Sequence, residues 1–340
     1  MSAPAGIEIV GGGLAGLSLG LALRHAGVEV ILHEAGAYPR HRVCGEFIAG
    51  LPERTRRRLG LDRFFADAAP NRSIAWFARG EVVRYQRLPA VAPGISRHAL
   101  DARLAEAFVA AGGTLHTGSR VTDLTAAPGR VFATGRRRAG RTWLGLKIHA
   151  VALSLVRDLE VHLGNDAYVG LARIEDGRVN VCGLFRRRSL CAKGANLLLG
   201  YLQAAGLPDL VTRLTDAALD PASFTAVAGV DFDRRVFPSD GVRLGDSAAM
   251  IPPFTGHGMA MAFQSAELAL DPLLAYARGE ESWPASLGVI QAGLRRRFRV
   301  RLDGAATLHS FLLEPPRQRW LTLLSRARLL PLRPLYALLH

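Results

Sequence analysis

Lysine is almost missing from this 340-residue chain: Lys147 and Lys193 are the only two among 43 basic residues. With 29 acidic residues the formal charge is +14, which by itself would suggest nucleic acid as a partner. An arginine bias this one-sided, beside so much alanine, reads instead as a compositional habit of the source genome. The basic runs (Arg54 to Arg58, Arg136 to Arg138, Arg186 to Arg188, Arg295 to Arg301) are scattered and do not interleave with aromatic residues as a base-stacking platform would. Nucleic acid is therefore not expected. Cysteine is scarce too. Cys44, Cys182 and Cys191 form no CxxC pair, so neither a disulfide framework nor a metal site is expected, and a reducing, cytoplasmic setting is. No uninterrupted apolar run reaches the length needed to span a bilayer. Residues 6–23 are apolar but lack a cationic lead-in and are broken by glycines, so they are not read as a secretory leader. Internal repeats and low-complexity segments are also lacking.

Glycine is abundant, and its placement organises the chain. Ile7 to Val10 is an apolar run of strand length, followed by Gly11, Gly13 and Gly16 at G-x-G-x-x-G spacing. A helical pattern runs to about His25 and stops at Gly27; Val28 to Leu32 is a second strand, and Glu34 stands at its end. Each part has a physical reason. Gly11 permits the tight turn, Gly13 lets backbone approach a pyrophosphate, and Gly16 allows close helix–sheet packing. The helix N-terminus offers free N–H groups to phosphates. Glu34 would accept from ribose hydroxyls and repel a 2′-phosphate, favouring FAD or NAD over NADP. The N-terminus is a dinucleotide-binding unit.

Further along, Leu51 to Ala68 is expected to be helical, Ile74 to Tyr85 to form two short strands around Arg79-Gly80, and Pro89 to Pro93 to be a linker. Ser96-Arg97-His98 opens a helix that Gly112-Gly113 closes. Short strands are expected over Thr114 to Thr117, Ser119 to Leu124 and Arg130 to Thr134. From Trp143 the texture changes to alternating strands, with Glu175-Asp176-Gly177 as a hairpin turn. Two helices and a strand, Phe224 to Phe232, complete a second, sheet-based unit. Val242 to Leu244 is a buried strand delivering Gly245-Asp246, and a loop leads into a long helix from about Met259 to Ala277.

GGGLAG with Glu34, Ser96-Arg97 before a helix, and GDSAAMIPPFTGHGM together resemble the flavoproteins typified by p-hydroxybenzoate hydroxylase and geranylgeranyl reductase. The resemblance covers nearly the whole chain in order. It implies an α/β fold: a Rossmann-like FAD-binding domain (residues 1–72, 94–142 and 234–282), an inserted antiparallel substrate domain (73–93 and 143–233) and a helical C-terminal region (283–340). It also implies tightly bound FAD, with NADPH or NADH as a transient reductant. Asp246, delivered by Gly245, would hold the ribityl chain. Pro253, Gly256, Gly258 and Met259 would lie against the pyrimidine side of the flavin, Arg42 and Arg97 near the cofactor, and Val121 by the adenine. VCGEF is similar to a cysteine-containing loop of the reductase branch, placing Cys44, Gly45 and Glu46 near the isoalloxazine. Cys44 is expected to pack as a small side chain rather than react. Glu46 is expected to carry a raised pKa in an apolar cavity and to exchange protons there. His257 is either a third catalytic candidate or a backbone contributor with its imidazole turned to solvent. Thr134-Gly135 stands where hydroxylases of this group carry Asp-Gly, which leaves Gly135 as a cofactor contact without the acidic partner; Arg136 to Arg138 could receive a nicotinamide phosphate.

The leading expectation is a monooxygenase acting on a small aromatic or lipophilic substrate through a flavin hydroperoxide. The alternative is a reductase of a carbon–carbon double bond, and a third is a non-redox flavoprotein. The tail, Arg317 to His340, mixes leucines with arginines and aromatics. It is read as docking on its own core, with peripheral membrane contact as the alternative.

Overall fold

The computed structural model describes residues 6–136, 140, 142–230, 237, 240–313, 316, 317, 320 and 323. Most of the tail and Arg137 and Arg138 lie outside the described residues. Two sheets divide the work. The first holds β1 (Ile7–Val10), β2 (Val30–His33), β5 (Thr114–His116), β6 (Arg130–Phe132) and β12 (Val242–Arg243) in the order β12-β6-β1-β2-β5, all parallel. Chain order reverses at β1, so a crevice opens at its carboxyl end, where open α/β sheets take their ligands.

Helix α1 (Leu14–His25) follows β1 directly. Every residue from Leu14 to Leu23 is buried, which is why its sequence is apolar all round rather than on one stripe. It lies between the sheet, α3 (Arg97–Ala110) and α6 (Gly258–Ala277), and full burial of each of its leucines contributes about 1.5–3 kcal/mol. The last described helix, α7 (Trp283–Leu313), packs on α6 and reaches the second sheet with Leu312 and Leu313.

The second sheet contains β3 (Ala69–Ala78), β4 (Glu81–Gly94), β7 (Trp143–Val151), β8 (Leu159–Gly164), β9 (Ala167–Arg173), β10 (Val179–Arg186) and β11 (Ala218–Val230), ordered β11-β7-β10-β9-β8-β3-β4. One pairing, β3 with β8, is parallel, so the sheet is mixed and not wholly antiparallel as expected. Its back face, including Leu144, Leu146, Ile148, Val181 and Val169, is covered by α4 (Gly194–Ala204) and α5 (Pro208–Thr215).

Three local expectations are corrected. Residues 51–68 are not one helix: α2 (Glu53–Arg58) stops at Gly60, which has φ 66°, and only a short 3-10 turn, Asp62–Phe65, follows. Pro89 to Pro93 is not a linker but part of β4, an edge strand, where a missing N–H can face away from the ladder. Ser119 to Leu124 forms no strand: Thr122 to Leu124 are exposed, so no sheet face draws them in.

Candidate active site

The N-terminal glycines divide their roles as their spacing implies. A Cβ on Gly11 would overlap the Ala133 carbonyl and one on Gly16 the Gly11 carbonyl, so both are fixed by backbone packing. A Cβ on Gly13 would meet only Arg97 Nη2, at 4.0 Å. Gly13 thus faces open space at the N-terminus of α1, which no side chain caps. A Cβ on Gly245 would touch that of Ala15 at 3.4 Å, so the Gly245-Asp246 pair sits on the first turn of α1. Gly245 N donates to Ser265 Oγ at 2.9 Å, and Asp246 reaches solvent. The density of protein around it nonetheless raises the Asp246 carboxyl above its ordinary range. A second uncapped helix N-terminus, that of α6, begins at Gly258 behind Pro253 and Gly256, with Met259 buried.

Charge is concentrated around one buried carboxylate. Arg97 Nε and Nη2 donate to Asp101 at 2.7 and 2.8 Å, one turn apart on α3, and Arg42 Nε donates to the same group at 2.9 Å. Arg42 Nη2 has no hydrogen-bond partner among the described residues, although Glu34 lies 3.6 Å away. That buried donor, on the arginine that shares Asp101 with Arg97, suits an anionic oxygen. Glu34 itself accepts from Gly12 N (2.9 Å), Gly36 N (2.8 Å) and Arg40 Nη2 (2.6 Å). Its charge is thus balanced by arginine, which weakens the expected repulsion of a 2′-phosphate. Ser119 N bonds to the Glu34 carbonyl at 2.9 Å, so Val121 follows this corner in an irregular segment. Gly135, φ 74°, has open space around it, and Arg136 bonds to the Gly229 carbonyl at 3.3 Å.

The VCGEF loop joins both halves. Ala49 N donates to the Gly256 carbonyl at 3.1 Å, and a Cβ on Gly45 would touch only the Phe47 ring. Cys44 packs against the first core, and burial raises its thiol above the ordinary range. His257 is not turned to solvent: it is 2% exposed and its Nδ1 lies 2.7 Å from the Thr255 carbonyl, holding the loop before α6.

Glu46 brings the largest correction. It sits at φ 55°, fully buried, but not in an apolar cavity. Oε1 accepts from Arg97 N at 2.9 Å and lies 3.2 Å from Lys147 Nζ, while Oε2 lies 2.6 Å from His149 Nε2. Burial alone would raise its pKa; the His149 hydrogen bond and the Lys147 charge outweigh it, so the carboxyl is held below its ordinary range. Lys147 Nζ also lies 3.2 Å from His41 Nδ1, and His41 stacks on His98 at 4.4 Å. Burial and the Lys147 charge push His41 down to about 4.

Lys147, His149, Asn180 and His41 were not among the candidates the sequence offered. The signal was present in β7: Leu144, Leu146, Ile148 and Ala150 face the back core, so Gly145, Lys147 and His149 must share the opposite face. Ser96, expected only to open α3, caps it through Ala99 N at 3.1 Å and also binds Glu175 from the hairpin turn of the second sheet.

No family model matches the chain. It is 23% identical to a menaquinone reductase of Mycobacterium tuberculosis strain H37Rv over 329 residues, covering 79% of this chain and 76% of that protein. Among solved structures it is similar to PnpA, a p-nitrophenol 4-monooxygenase from Pseudomonas putida DLL-E4 (TM-score 0.76, 16% identity, 100% of this chain and 97% of that one). It is equally similar to HpxO of Klebsiella pneumoniae complexed with FAD and uric acid (TM-score 0.76, 17% identity, 98% and 96%). The chain therefore shares the fold of these two proteins over nearly its whole length.

Proposed function

We propose that the protein is an FAD-dependent oxidoreductase, a monooxygenase of a small aromatic or lipophilic molecule. The observation that carries this reading is the juxtaposition of Gly13, unobstructed at an uncapped helix N-terminus, with Arg97, the unpartnered Arg42 Nη2 and Asp246. Gly13, Arg97 and Arg42 would hold the pyrophosphate and Asp246 the ribityl hydroxyls, while the start of α6 would favour negative charge on the reduced ring. When bound and reduced by NADPH or NADH, FAD would supply the electrons that activate oxygen. The chain's own residues would exclude water with Phe47, Tyr168, Phe254 and Leu312 and present Glu46 and His149 from the polar end of the second sheet.

The likeness to a menaquinone reductase supports a second reading, reduction of a carbon–carbon double bond in a lipophilic quinone. Purified protein is expected to be yellow with releasable FAD, and to reduce that FAD anaerobically with NADPH. Oxygen is then admitted over a panel of hydroxyaromatics and quinones. An ¹⁸O-labelled product identifies the monooxygenase; a reduced product without oxygen uptake identifies the reductase. Colourless protein that cannot be reconstituted with FAD overturns both.

A further inference from the structure

His149 and Asn180 are directly opposed in the antiparallel ladder between β7 and β10, so their Cβ atoms lie about 4.5–5.5 Å apart on one face of the sheet. Both are buried, at 1% and 0% exposure. Each spends one end of its side chain on the VCGEF loop. His149 Nε2 lies 2.6 Å from Glu46 Oε2, and Asn180 Nδ2 donates to the Cys44 carbonyl at 2.9 Å. An ionised carboxylate only accepts, so the first bond places a proton on Nε2; a carbonyl only accepts, so the second fixes the amide with its oxygen at the other end. In the neutral ring what remains is a pair of bare acceptors, His149 Nδ1 and Asn180 Oδ1, and neither has a hydrogen-bond partner among the described residues.

Buried acceptors are seldom left without donors, and two of them side by side select a group that can donate to both. We infer that His149 Nδ1 and Asn180 Oδ1 form a subsite for a hydroxyl or amino group on the substrate. This rests on the reading above, in which the sheet face against the VCGEF loop is the substrate side. Glu46 and Lys147 act through His149 as positioning residues: Lys147 stands 3.2 Å from the carboxylate that sets the tautomer. Because Nδ1 is a base, the same contact lets a hydroxyl proton move onto the ring as substrate charge develops, with Nε2–H still held by Glu46. An ether or a simple hydrocarbon of the same shape would leave both acceptors unmatched, so the site discriminates by donor and not by bulk.

The test uses the full-length protein labelled with ¹⁵N-histidine, with phenol and aniline as probes and anisole as the methylated control. His149→Gln identifies the His149 signals by their loss. The expected result is a ring with its proton on Nε2, whose Nδ1 resonance moves with phenol and aniline but not with anisole. Asn180→Leu and the milder Asn180→Ser should each weaken the phenol response about tenfold. An Nδ1-protonated ring, a signal unmoved by phenol, or equal shifts with anisole would overturn the inference. Flavin absorbance of the same samples keeps the two readings apart. Colourless protein with a phenol-responsive His149 sinks the FAD reading alone, and yellow protein with an unresponsive His149 sinks this one alone.

Discussion

Gly256 lies against the face of Phe47 so closely that any Cβ there would overlap the ring, and its φ of 68° is one that L side chains rarely adopt. This one contact locks the loop before α6 to the loop carrying Cys44 and Glu46, two segments more than two hundred residues apart. Gly256→Ala combines left-handed backbone strain with overpacking, a destabilisation of about 2–4 kcal/mol. A thermal melt should show it as a lower Tm. Phe47→Leu in the same chain should restore only part of the loss, since it relieves the ring but not the backbone.

The fingerprint glycines separate binding from folding. Gly13→Val adds atoms to open space, so the variant should fold with near-normal far-UV circular dichroism yet purify without yellow colour. Gly16→Val drives a side chain into the Gly11 carbonyl and should fail to fold. Equal solubility and equal flavin content in the two variants would contradict this division.

How much of this was legible beforehand follows from the range of the interactions. The β1–α1–β2 unit could be read because its signals are local: strand, glycine turn, buried helix and Glu34 succeed one another within 28 residues, and the structure keeps that order. The ionisation of Glu46 was not legible. Its sequence neighbours are apolar, but the groups that set its charge, Lys147 and His149, arrive from β7, about a hundred residues away. The long β4 was hidden because proline reads as a breaker unless the strand is known to be an edge, which is a property of the assembled sheet.

Acid should weaken the fold in a defined window. Burial pushes His309, set among Tyr168, Phe254 and Trp143, down to about 4, and burial together with Lys147 does the same to His41. Both folded values lie below the ordinary value near 6.5, so the unfolded chain takes up protons first as pH falls. Their contribution to stability is fully present above pH 6.5 and is lost between there and about 4, less for the partly exposed His41. Urea midpoints at intervals from pH 8 to 4 should fall across that range, and His309→Phe should flatten the slope. An unchanged slope would place the acid sensitivity elsewhere.

Lys147 is the last test, because it asks whether the buried cluster acts as one unit. Its side chain and that of Glu46 are both inaccessible to solvent. Lys147→Met removes the only described lysine or arginine side chain bonded to Glu46 and leaves a buried carboxylate with His149 and the Arg97 N–H as its donors. Breaking such a pair from one side costs about 3–5 kcal/mol, whereas replacing both partners is often nearly neutral. Glu46→Gln in the Lys147→Met background should therefore recover much of the stability, and the double-mutant cycle should give a coupling energy well above that of a surface pair. The sign with pH also follows. Without Lys147, Glu46 loses one of the groups that hold its carboxyl down, so its folded pKa rises from the wild-type position. Where Glu46 titrates, the folded variant then binds more protons than folded wild type, so its deficit relative to wild type should grow as pH rises through that range and shrink toward acid. A deficit independent of pH, or additive single substitutions, would mean that Lys147 and Glu46 are neighbours without being coupled.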